Sequence, residues 1–134
     1  MFGGGGSLHI LLAEENAVNQ RLAMRLLGKY GHTVVVVNNG RGALEAIAAQ
    51  QFDLVLMDTH LPETNGIEAT AHIRERERET GTYVPIVAVT ANALLGERKQ
   101  YLAFGMDGYV SKPIQTAELF QVIAELAPAA FALN

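Results

Sequence analysis

A chain of 134 residues with a formal charge of -4 and no cysteine can build one ordinary core, but it has no thiols for a disulfide or thiolate metal site. It also lacks the basic excess that drives binding to nucleic acid. Hydrophobic content of 49% and charged content of 18% describe a globular domain; with no apolar run near the ~18 residues of a membrane span and no signal-peptide pattern, a cytoplasmic domain without membrane contact is expected.

Residues 1–7, MFGGGGS, read as a linker or an expression remnant, 8–127 as the folded domain and 128–134 as a tail or linker. The first apolar run, 8–13, reads as a strand and stops at two acids, Glu14 and Glu15. Asn16 can cap a helix with Val18, Leu22, Leu26 and Leu27 inward and Gly31 as its stop. Four consecutive valines within 33–37 predict another buried strand, and Asn39 and Gly40 then turn the chain into a helix with Leu44, Ile47 and Ala48 inward.

The run 52–66, FDLVLMDTHLPETNG, has a short apolar core that ends abruptly on Asp58 and passes into a turn with Pro62, Asn65 and Gly66. Such a run predicts a strand buried on both faces, with Asp58 at its carboxyl end. A helix over 67–79 follows, and its RERERE tail from Arg74 to Glu79 places opposite charges at i+3 but like charges at i+4, as on a solvated helix end. Gly81 and Pro85 bracket a loop before a strand over 86–89 that ends on Thr90. A helix over 94–104 stops at Gly105, a strand over 108–111 ends just before Lys112, and Thr116 caps a last helix with Leu119, Ile123 and Leu126 inward, closed by Pro128.

Alternation of this kind predicts an α/β fold, a doubly wound five-stranded parallel sheet with five helices. Residues just past the strands share one edge of the sheet, so Glu14, Glu15, Asp58, Thr90 and Lys112 should converge. Three carboxylates at one point call for a hard divalent cation, Mg2+ or Mn2+. That leaves Asp58 as a nucleophile toward phosphorus, with Lys112 and the Thr90 hydroxyl set to meet phosphoryl oxygens.

The motifs ILLAEEN, FDLVLMDTHLPETNG, PIVAVTANA and GMDGYVSKPI, in this order and spacing, resemble the receiver domains of two-component signalling, a flavodoxin-like fold, over essentially all of 8–126. The segments AVNQ, GIEAT and SKPI are most similar to receivers of hybrid sensor histidine kinases. The resemblance implies that Asp58 is the phosphoacceptor in a phosphorelay and that Glu14 and Glu15 are the acidic pair. It further implies that His60 offers its backbone carbonyl to the metal, that Thr90 and Tyr109 form the switch, and that Lys112 precedes a cis proline at Pro113. His60 and Asn92 would flank the line of water attack. Glu15 stands where the family most often has the shorter aspartate, and Asn65 where it commonly has aspartate. The implied donor is a histidine kinase core and the implied acceptor a histidine phosphotransfer domain, with the chain on the cytoplasmic side of a sensor kinase. Phosphoryl transfer and hydrolysis would be self-catalysed.

Other functions fit less well. A receiver-fold interaction module that no longer cycles phosphate is the main alternative, suggested by Glu15. An aspartyl-phosphate phosphatase would want an acid or hydroxyl where His60 stands, and a flavin phosphate would be repelled by Glu14 and Glu15. His9, His32 and His72 have no metal-ligand spacing, and the GxG at Gly40 and Gly42 lacks its third glycine.

Overall fold

The computed structural model describes residues 7–91 and 95–127; the readings made for the N-terminal glycines, Asn92, Leu94 and the tail from Pro128 lie outside them. Strands β1 (His9–Ala13), β2 (Thr33–Val37), β3 (Leu54–Asp58), β4 (Ile86–Thr90) and β5 (Gly108–Ser111) alternate with helices α1 (Ala17–Lys29), α2 (Gly40–Ala49), α3 (Gly66–Thr80), α4 (Leu95–Ala103) and α5 (Thr116–Leu126). All pairings are parallel, in the order β2-β1-β3-β4-β5.

The period of two along each strand divides the core into two layers. Ile10, Leu12, Leu54, Leu56, Val87 and Val89 pack with Ala23 and Leu27 of α1 and Leu119 and Ile123 of α5. The alternate residues Leu11, Val55, Met57, Ile86 and Ala88 pack with Ala43 of α2, Ala69 and Ile73 of α3 and Tyr101 of α4. Every side chain of β3 and β4 is buried, because helices cover both faces.

Several expectations are corrected. The valines of β2 form an edge strand and are only partly buried, since one side of the strand has no neighbour. Val18, in the first turn of α1, is 68% exposed, and the helix buries Ala23 together with Leu27, the latter as expected. Ala48, in the last turn of α2, is exposed, and Ala43 takes the inward position. The last helix is capped at Gln115, without a side-chain bond, and not by Thr116. Its first turn is tied to β5 by Glu118, which accepts from Ser111 N at 2.6 Å and Ser111 Oγ at 2.9 Å.

The largest correction concerns the RERERE tail. Arg74 is not a solvated helix end: it donates to the carbonyls of Gly105 and Val84 and to the carboxylates of Glu77 and Asp107, and it lies 4.1 Å from the centre of the Tyr83 ring. Asp107 in turn accepts from Ile86 N and the Tyr83 hydroxyl, and Glu77 accepts from Val84 N. The network joins α3 to the starts of β4 and β5, at the end of the sheet opposite Asp58.

His32 is buried, and its Nδ1 accepts from the backbone N–H of Leu8 at 3.0 Å, which fixes the start of β1. Burial holds its pKa below the ordinary imidazole value of 6.5. Below that pH the unfolded chain binds a proton that the native ring resists, so stability is lost as pH falls through it. Denaturation midpoints should therefore drop between about pH 7.5 and about pH 5.5, with a slope of at most ~1.4 kcal/mol per pH unit from this group. His32→Asn, whose carbonyl can still accept from Leu8, should flatten that slope; an unchanged slope would assign the titration elsewhere.

Candidate functional site

The carboxyl edge of the sheet collects its polar residues because each apolar run ends there. Asp58, the last residue of β3, is 3% exposed. Its Oδ1 accepts from the backbone N–H of His60 at 2.9 Å, a turn that aims the carboxylate back over the strand end. Glu14 follows β1 directly and is 2% exposed; its Oε2 accepts from Asn16 N at 3.0 Å, and Asn16 caps α1 through Val18 N and Asn19 N. Lys112 follows β5, with its N–H donating to the Thr90 carbonyl at 2.9 Å and a cis peptide bond to Pro113.

The Lys112 ammonium reaches across the edge to both acids. Nζ lies 2.6 Å from Asp58 Oδ2 and 3.4 Å from Glu14 Oε1. Burial works against its charge, but the hydrogen bond to Asp58 and the charges of Asp58 and Glu14 outweigh it and hold its pKa above the ordinary value. Burial pushes the Glu14 carboxyl up, aided by the charge of Asp58 and opposed by the Asn16 N–H and by Lys112. Glu14 Oε1 receives no hydrogen bond, so its contact with Lys112 is one of charge alone.

The three expected carboxylates line one cleft of about 540 Å³, with Glu14 and Asp58 buried and Glu15 exposed. His60 and Lys112 line it too, but among the described residues no three acidic or imidazole groups form a ready metal cage. The Lys112 ammonium bridges two of the three, Asp58 and Glu14. A hard divalent ion still suits the donors, because a buried carboxylate oxygen without a hydrogen bond is a place for positive charge.

The segment between β3 and α3 is held against two glycines. A Cβ on Gly66 would fall on the backbone oxygen of Asp58, and one on Gly40 would fall on that of Thr64. Asn65 caps α3 by accepting from Glu68 N at 2.9 Å. Asn65 therefore works as a helix cap, and the glycine after it permits the close approach.

Thr90 ends β4 fully buried, and its hydroxyl lies 3.0 Å from that of Tyr101, which is 6% exposed on α4. The sequence reading passed over Tyr101. A buried tyrosine carries a hydroxyl that needs a partner, but the helical face of α4 could not be phased from its composition. Tyr109 is partly buried in the same layer.

Residues 10–124 match a family model described as the response regulator receiver domain. The chain is 43% identical over 115 residues to the sensor histidine kinase GacS of Pseudomonas protegens, covering 85% of this chain and 12% of that protein. It spans only 7% and 15% of two further histidine kinases, from Dictyostelium discoideum and Oryza sativa. Among solved structures, it is similar to the receiver domain of a sensor histidine kinase of Pseudomonas aeruginosa that holds a magnesium ion in its active site cleft, with TM-score 0.79, 39% identity and coverage of 90% and 97% of the two chains. A second is a Saccharomyces cerevisiae receiver domain crystallised with its histidine phosphotransfer protein, with TM-score 0.87, 27% identity and coverage of 96% and 94%.

Proposed function

Because this chain belongs to the response regulator receiver domains of two-component signalling, we propose that Asp58 accepts a phosphoryl group from a phosphohistidine and holds it as an aspartyl phosphate. A carboxylate oxygen of Asp58 forms the new O–P bond as the P–N bond breaks and the imidazole departs. The observation that carries this reading is the position of Lys112, whose ammonium already sits 2.6 Å from Asp58 at the floor of an open cleft. As phosphoryl charge builds up, Lys112 can pair with it, while the His60 N–H keeps the other carboxylate oxygen in place.

Glu14 and Asp58, with Glu15 and the backbone carbonyl of His60, are the groups that would hold Mg2+ or Mn2+, which supplies charge neutralisation for the bound phosphoryl group. The magnesium in the Pseudomonas aeruginosa receiver supports this assignment. The Thr90 hydroxyl supplies a further donor, with Tyr109 as part of the responding face.

The donor in this reading is a histidine kinase core and the acceptor a histidine phosphotransfer domain, supported by the yeast complex and by the long histidine kinases that contain similar segments. Residues 8–127 form the receiver unit in this reading, a segment of the kind found within the long histidine kinases. Among the described residues no helix is long and apolar enough to cross a membrane, and the cytoplasmic side is the place where such kinases would hold it.

Incubation with Mg2+ and acetyl phosphate should add one phosphoryl mass to the wild type, and none to Asp58→Ala. Equal labelling of both proteins would overturn the assignment. An unlabelled wild type whose partner binding survives Asp58→Ala would leave an interaction module of receiver fold.

A further inference from the structure

We propose that Tyr101 is a positioning residue: its hydroxyl holds that of Thr90 on the α4 side of the sheet in the unphosphorylated domain, so that phosphorylation of Asp58 has to break this hydroxyl pair. The proposal rests on Asp58 being the acceptor and adds a residue to that reading.

The strand period carries the argument. Asp58 is in phase with Leu54 and Leu56, whose side chains pack in the layer of α1 and α5. Thr90 is in phase with Ile86 and Ala88, whose side chains pack in the other layer, with Ile73 and Tyr101. The two site residues lie on neighbouring strands, with Asp58 paired to Val89, yet their side chains leave the sheet toward opposite faces. For the Thr90 hydroxyl to reach a phosphoryl oxygen on Asp58, it must turn away from Tyr101.

Breaking that pair has an energetic consequence. Thr90 is 0% and Tyr101 6% exposed, and their hydroxyls meet out of water. Separating two such hydroxyls costs about the worth of one neutral hydrogen bond, so the pair holds Thr90 back from the phosphoryl group.

Tyr101→Phe keeps the ring and removes the bond. Labelling by acetyl phosphate and Mg2+, at a donor concentration where the wild type is half modified, should proceed about fivefold faster, the worth of one neutral hydrogen bond. In a Thr90→Ala background the same change should have no further effect, whereas a packing role for Tyr101 would act in both backgrounds. A second cycle, Thr90→Val with Tyr101→Phe in urea denaturation of unphosphorylated protein, should be non-additive. If the wild type is labelled but Tyr101→Phe labels at the wild-type rate, or equally alters the rate without Thr90, the inference is overturned while the acceptor role stands. If the wild type is not labelled, both fall, and the urea cycle reports only whether the hydroxyl pair exists.

Discussion

Gly66→Ala should remove both stability and phosphoryl acceptance. The added methyl would land on the backbone oxygen of Asp58, at a buried point where β3 and the start of α3 touch. Backbone cannot yield there as a side-chain tip could, so the β3–α3 segment must shift, at a cost of roughly 2 kcal/mol or more. Urea denaturation measures that loss. Labelling of the folded fraction should also fall by at least about tenfold, since a displacement near 1 Å of a reacting group is enough to do so. Gly28→Ala is the control: nothing lies within 4 Å of its Cβ position on α1, and alanine in a helix should stabilise by about 0.5 to 1 kcal/mol. A Gly66→Ala protein with wild-type midpoint and labelling would show that the close approach does not organise the site.

Arg74→Met should be the most damaging change outside the site. It would leave the carboxylates of Glu77 and Asp107, only 10% and 20% exposed, without their cation, and it would unsatisfy the carbonyls of Val84 and Gly105. Breaking a partly buried charge network from one side costs roughly 3 kcal/mol. Arg78→Met, four residues along the same charged run, is exposed and should stay within about 0.5 kcal/mol of wild type. Comparable losses in the two variants would reduce Arg74 to an ordinary surface arginine. Phosphoryl labelling of folded Arg74→Met should persist, because the network lies at the far end of the sheet.

The strands and the site residues at their ends were legible because both follow from short-range patterns. Apolar runs that stop on a polar residue mark the carboxyl edge of a parallel sheet wherever they occur, and Glu14, Asp58, Thr90 and Lys112 were all found in that way. What the sequence hid depends on the neighbours of an element. The valines of β2 look the same whether the strand is central or at an edge; only the strand order leaves them half covered. Arg74 was hidden by the alternation around it, although a signal was present. It lies four residues after buried Thr70, and Glu77 four after buried Ile73, so the inward stripe of α3 runs on into the charged tail. The partners of Arg74 are 31 and 33 positions away, at Gly105 and Asp107, beyond any local pattern. Tyr101 was missed for a similar reason, since its meaning comes from Thr90 on another element.

The strand order also gives the site a mechanical character. Asp58 ends β3, which is bonded on one side to β1 and on the other to β4, whereas Lys112 follows β5, bonded to β4 alone. A load applied at Asp58 therefore meets a stiff foundation beneath it and a compliant wall to one side. Strain introduced at the centre of the sheet would relax most easily toward that wall, where β5 carries α5 and part of α4.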